Sequence, residues 1–267
     1  MIAKITLDSI EHRFDPAAPI DISIPLRFGG MQPNAYGVEI ARTRACEYGD
    51  LVGDTRRGGS CNFEQITLTP HCNGTHTECV GHVTDERISV RDCLQDVMVT
   101  AVLVTVGAEQ INGDSIISRG LIADALTPQA AFADALVRVP QALIVRTLPN
   151  DDGKLAASYG EGNIPAYFST EAMEYMVECG FKHLLVDLPS IDRIFDEGEL
   201  ANHRIFWGIE SGSREINSET RLNSTITELI YVPNEIEDGE YLLNLQIAPF
   251  ETDASPSRPV LFKLFSN

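Results

Sequence analysis

The chain has 267 residues and a formal net charge of −19 at pH 7, enough length for a substantial core in one large domain or two small ones. Such acidity argues against nucleic acid or an anionic membrane surface as partner, since both need basic patches. No apolar run is long enough to span a bilayer, no secretion-signal pattern opens the chain, and the six cysteines form no CxxC pair or compact framework, so free thiols in a reducing cytoplasm are expected.

Pro16 and Pro19 mark a loop before residues 21–26, a short alternating strand. The loop 28–33 is placed to carry substrate contacts, as mobile loops often do. Residues 54–60 are polar and glycine-rich but lack the G-x-x-x-x-G-K-[ST] of a phosphate-binding loop, so nucleotide binding is not expected. Residues 61–69 alternate enough for a strand that feeds the histidine cluster after it. Residues 97–106 are a β-branched run and the clearest buried strand. Glycine and proline punctuation over 107–128 predicts short helical pieces, including one around 128–136 with proline in its first turn. Residues 142–147 form a second core strand, and 149–165 carry the longest loop signal. Ser169 or Thr170 caps a helix over 171–179, which Gly180 closes. Residues 183–187 are the next strand, and this strand–helix–strand run predicts an α/β domain. Strands over 226–232, 239–249 and 259–265 follow, the last two separated by a polar turn at 253–259, where Arg258 could hold a carboxylate. No repeat or linker divides the chain, so a single domain over 1–267 is expected.

The chemistry concentrates in His71-Cys72-Asn73-Gly74-Thr75-His76-Thr77-Glu78-Cys79-Val80-Gly81-His82, which holds three of the six histidines. Imidazole, carboxylate and thiolate are the side chains that bind first-row metals, and such density points to a metal site. His76 and Glu78 lie two apart and so share one face of an extended strand. Gly74 lets the backbone pass close to an ion, and Thr75 can hold the turn by local hydrogen bonding. Asp187-Leu188-Pro189-Ser190-Ile191-Asp192 sets two aspartates around a proline turn, suited to turn formation and to hydrogen bonding with ligands. His203 precedes the only tryptophan, Trp207, and Glu228 interrupts an apolar strand. A carboxylate buried there needs a partner or a metal.

The 71–82 stretch is similar to the signature of the metal-dependent cyclase and kynurenine formamidase family, H-x-G-T-H-x-D-x-P-x-H. Gly74-Thr75-His76 and His82 fit in register. Glu78 stands at the family's aspartate, Val80 at its proline and Cys72 at its first histidine, with His71 one residue early. Asp21-Ile22-Ser23 resembles the family's D-L-S segment and residues 187–192 its D-x-P-S-x-D, while His203 and Glu228 match its later histidine and glutamate. The resemblance runs from residue 21 to residue 264. It implies an α/β fold with a mixed, barrel-like β-sheet core flanked by helices (the swivelling β/β/α type) and a homo-oligomer, dimer or tetramer.

The activity it implies is metal-dependent hydrolysis of a small-molecule C–N amide, with N-formylkynurenine, from tryptophan breakdown, as the family's best-known substrate. His76 and Glu78 would be ligands, and Cys72 or His71 would fill the place of the first histidine. His82, His203 and Glu228 would bind a second ion or move protons, with His82 as general acid/base because imidazole titrates near working pH. Cys72 as a ligand favours zinc, the expected ion, over manganese, whereas His71 needs a bulge before Gly74. The extra methylene of Glu78 moves its carboxylate by about 1.5 Å, against metal–ligand tolerances of about 0.2 Å. Val80-Gly81, lacking the family's proline, predicts a looser loop before His82. The alternatives are a hydrolase or cyclase of another cyclic amide or lactone, and a binding protein that no longer turns substrate over. No G-x-S-x-G elbow supports a serine esterase.

Overall fold

A computed structural model describes residues 1–7, 9–130 and 139–265. Nine strands build the main sheet: β1 (Ile20–Asp21), β2 (His76–Glu78), β3 (Met98–Val106), β4 (Ala142–Thr147), β5 (His183–Val186), β6 (Thr225–Glu228), β7 (Gly239–Asn244), β8 (Ala254–Pro256) and β9 (Val260–Lys263). Their spatial order is β8-β2-β6-β5-β4-β3-β7-β9-β1. The central neighbours β3, β4, β5 and β6 run parallel, and every flanking pair is antiparallel. Just past β1, Ser23 bridges to Ile230 beyond β6, so the sheet curls into a half-barrel. The expected mixed, barrel-like α/β fold is the one observed.

The parallel strands are apolar on both faces because both are covered. Val102, Val104, Leu143, Val145, Leu184, Val186 and Ile226 pack on the helical side. Ala101, Leu103, Ala142, Ile144 and Leu185 alternate with them and meet Ile22, Leu243 and Leu261 on the other. The connections between parallel strands carry helices α2 (Arg119–Ala130), α3 (Thr170–Glu178) and α4 (Ala201–Trp207), while a short α1 (Val90–Cys93) precedes β3. Ser169 caps α3 by accepting from the Ala172 N–H, as its sequence predicts, and Ala172, Met173 and Met176 are its buried face. Phe206 and Trp207 anchor α4, each fully buried, and burial of side chains of this size stabilises by about 1.5–3 kcal/mol apiece. Among the described residues no helix is long and apolar enough to cross a membrane.

Four sequence readings are corrected. Residues 107–118 hold a hairpin, Glu109–Ile111 with Asp114–Ile117, rather than helical pieces. Asn112 and Gly113 both take positive φ there, the two-residue turn that Asn-Gly favours. Pro128 lies inside α2 and not at a helix start; residues 131–136 of the expected helix fall outside the described residues. The 61–69 strand is Glu64–Thr67, exposed and paired with Arg42–Ala45 outside the main sheet. Finally, the polar turn at 253–259 contains β8, an edge strand that ends on Pro256, where proline is tolerated.

Candidate metal centre

The pairing of β2 creates the site. Its neighbour β6 places Glu228 directly opposite His76, and β8 places Ala254 opposite Glu78. His76 and Glu78 therefore project from one strand face beside Glu228, and all three are buried. Thr77, between them, points the other way and shares a hydrogen bond with Thr227 (2.8 Å). Helix α4 brings His203 across the top of this group, with Nε2 2.9 Å from Glu78 Oε1 and 3.6 Å from Glu228 Oε1. The loop before β2 brings His71, with Nδ1 3.0 Å from Glu78 Oε2.

Each of these imidazoles is fixed through one nitrogen and offers the other to the two glutamates. His76 Nδ1 lies 2.9 Å from the Gly74 carbonyl, His203 Nδ1 2.6 Å from Asp192 Oδ2, and His71 Nε2 2.8 Å from Asp253 Oδ2. Ligand histidines held this way, by an oxygen on the far ring nitrogen, are the usual support of a metal centre. Asp192 is itself braced by the Asn202 and His203 amides. Glu228 Oε1 accepts from the Ile191 N–H (2.9 Å), so the 187–192 turn supports the cluster from outside, as its sequence suggests.

Two buried atoms at the centre, His76 Nε2 and Glu78 Oε2, lack a well-aligned hydrogen bond among the described residues: the first lies 3.5 Å from Glu228 Oε2 and the second 3.0 Å from His71 Nδ1. A ring nitrogen each of His71 and His76 and a carboxylate oxygen of Glu78 form a group whose ligand atoms all lie within 4.8 Å of one another. Buried polar atoms without good hydrogen bonds are costly, and a cation between these two would satisfy both. The electrostatics agree. Burial works to lower the His203 pKa, but Glu78, Asp192 and Glu228 hold it well above the ordinary histidine value. Burial likewise opposes the shift at His71, yet Asp253 and Glu78 push it up to about 10. Burial would raise Glu78, and His82, His203 and His71 instead keep it well below the carboxylate range. The carboxylates thus demand positive charge, met here by imidazolium and open to replacement by a divalent ion.

The family model described as "Putative cyclase" matches residues 20–193. The chain belongs to the cyclase family. The match includes His71–His82 and the 187–192 turn and ends before His203 and Glu228. The chain is also similar to solved structures. One is the predicted metal-dependent hydrolase from Bacillus stearothermophilus, at 15% identity over 92% of this chain and 98% of that one, with a TM-score of 0.60. Isatin hydrolase A from Labrenzia aggregata, solved with benzyl benzoate, is 12% identical over 92% and 93% of the two chains, TM-score 0.58. Isatin hydrolase A from Ralstonia solanacearum is 15% identical over 92% and 91%, TM-score 0.58. At such identities the likeness establishes the fold. No curated protein matches the sequence.

Of the residues singled out in the sequence, His71, His76, Glu78, His82, His203 and Glu228 come together. Cys72 does not join them: it is buried, its thiol pushed up to about 11 by burial and by Glu228, and it belongs to none of the metal-competent groups among the described residues. Its neighbour His71 is the residue of the pair that meets Glu78. The loop before His82 is also firmer than its lost proline suggests. Val80–His82 forms a 3₁₀ turn with Val80 fully buried, and a Cβ on Gly81 would sit 2.1 Å from the Ile88 carbonyl oxygen. Close backbone packing replaces the proline. Arg258 holds Asp21 through Nε alone (2.7 Å) at the surface.

Two residues of the site escaped the sequence reading. Asp253 contacts both His71 and His82, the latter at 3.3 Å from Nδ1. Tyr36 takes a positive φ of 59°, and burial with the nearby Glu228 pushes its phenol up to about 12. Only tertiary pairing reveals either one. Tyr36 is held where its N–H donates to the Tyr159 carbonyl, beside an Ala35 N–H bonded to the Cys72 carbonyl.

Proposed function

We propose that this chain is a metal-dependent hydrolase of a small-molecule C–N amide bond, with zinc as its ion and N-formylkynurenine as its substrate. The observation that carries the metal reading is the gathering of ligand atoms of His71, His76 and Glu78 within 4.8 Å of one another, with His76 Nε2 buried and without a hydrogen bond among the described residues, inside a ring of histidines fixed from behind. His76, Glu78 and His71 would hold the ion, with His203 and Glu228 beside them. When bound, a divalent ion supplies Lewis acidity, acidifying water and polarising a carbonyl oxygen.

The protein's own residues supply the rest. His82 is half-buried, its ring 4.3 Å from that of His71 and 5.6 Å from that of His203. It lines a cavity of about 240 Å³ with Gly81, Thr84, Arg87, Glu251 and Asp253. Its Nδ1 faces Asp253, which leaves Nε2 to take a proton from the attacking water and deliver it to the departing nitrogen, the general acid/base role. Glu228 accepts the Ile191 N–H through one oxygen and keeps the other 3.5 Å from His76 Nε2, where it orients ligands and can hold a proton. The buried setting of Glu78 and Glu228 strengthens each electrostatic interaction there.

A cyclic amide is the second reading, favoured by the structural likeness to proteins described as isatin hydrolases. Turnover assays with N-formylkynurenine and with isatin, each with added zinc or manganese and again with chelator, separate the readings. Metal-dependent hydrolysis of one substrate that is lost in His76→Ala is the expected result. A metal-loaded protein that hydrolyses neither would point to a small-molecule-binding homologue. Homo-oligomerisation belongs to the same proposal and is supported by exposed Tyr48, Leu51 and Ile66 on the hairpins outside the sheet.

A further inference from the structure

We propose that Asp253 is a positioning residue of the metal centre: it turns His71 so that Nδ1 faces Glu78 and serves as the ligand that Cys72 does not provide. The inference rests on the metal reading above. Asp253 lies outside the family match, which ends at residue 193, and outside every motif of the 71–82 stretch. Its place is set by the fold. It immediately precedes β8, its carbonyl accepts the Cys79 N–H (3.0 Å), and the Thr252 carbonyl accepts the Val90 N–H (2.8 Å). The next residue, Ala254, pairs with Glu78 across the sheet edge. A backbone pinned on two sides delivers the carboxylate to one spot.

There the Oδ2 atom meets His71 Nε2 at 2.8 Å and His82 Nδ1 at 3.3 Å, and the two rings lie 30° from parallel. A neutral imidazole carries a proton on one nitrogen and an in-plane lone pair on the other. Both nitrogens of His71 face carboxylates, Nε2 that of Asp253 and Nδ1 that of Glu78 at 3.0 Å; an ion taking the place of the Nδ1 proton would leave the Nε2 proton held by Asp253 and the lone pair on Nδ1. The Gly74 carbonyl and Asp192 do the same for His76 and His203, so Asp253 completes a set of three. His71, His82 and Asp253 also bring their ligand atoms within 4.8 Å of one another. An ion held there as well as at the centre would need both nitrogens of His71, which a neutral imidazole cannot give. Asp253 acts through His71.

The test is zinc affinity, measured by competition with a chromophoric chelator, with circular dichroism as the check on folding. In Asp253→Ala the affinity should fall about 10–100-fold. Asp253→Asn keeps the shape and an acceptor oxygen, so its loss should be smaller, and it serves if the alanine variant does not fold. In a His71→Ala background, adding Asp253→Ala should cost nothing further. Unchanged affinity in both single variants, or the same added loss without His71, would overturn the proposal. Wild-type protein that binds no zinc would overturn the metal reading itself, and this proposal with it.

Discussion

Shortening Glu78 by one methylene probes the centre where it departs most from the family pattern. Glu78→Asp restores the family's residue type on a backbone built for glutamate. The carboxylate withdraws by up to about 1.5 Å, so its contact with His203 Nε2 stretches from 2.9 Å to as much as about 4.4 Å, beyond hydrogen-bond range. In the metal-free protein, losing a buried charge-assisted bond costs about 1.5–3 kcal/mol and the missing methylene about 0.8 kcal/mol. The denaturation free energy in chelator should therefore fall by about 2–4 kcal/mol. Zinc affinity should fall at least about tenfold, since even residues that only support ligands carry that much. Urea unfolding with chelator and a zinc competition titration measure the two effects. An aspartate variant that binds zinc as tightly as wild type and unfolds at the same urea concentration would refute the ligand role of Glu78.

Three further outcomes are expected. His71→Ala should lose zinc by at least about tenfold while Cys72→Ser stays near wild type; the reverse ranking in the same titration would restore Cys72 as ligand. Gly81→Ala forces the 3₁₀ turn away from the Ile88 carbonyl and displaces His82, so hydrolysis should drop by about a hundredfold with metal content retained. Metal loss matching the activity loss would contradict a proton-transfer role for His82. Burial holds the His183 pKa below its ordinary value, with Asp96 offsetting part of the shift. The folded protein then disfavours the protonated ring, so this contribution is complete above about pH 6.5 and is lost as pH falls. The drop in urea midpoint between about pH 7.5 and about pH 5.5 should shrink in His183→Asn, and an equal drop in both proteins would refute it.

Much of the fold and the centre can be read from local chemistry. The parallel core strands announce themselves as β-branched runs, and α3 by its Ser169 cap and Gly180 stop. The density of histidines around Glu78, with Glu228 interrupting an apolar strand, locates the cluster before any coordinates. Other features depend on pairing across long separations. β8 is hidden because its serine and proline residues read as a turn, and only its register against β2 makes it a strand. Asp253 is hidden with it, since nothing in its neighbours connects it to residues about 180 positions earlier. Adjacent His71 and Cys72 cannot be ranked by sequence, because a one-residue shift in the loop decides which of them faces Glu78. The hairpin at 109–117 is different in kind: Asn112-Gly113 carries its signal locally, a two-residue turn between short strands.

The central claim is that a divalent ion occupies the space between His76 Nε2 and Glu78 Oε2. Elemental analysis of protein purified without an affinity tag, as wild type and as His76→Ala, tests it most directly. About one to two equivalents of zinc or manganese per wild-type chain, lost in the variant, is the predicted result. Wild-type protein that holds neither ion after dialysis against both would contradict the account.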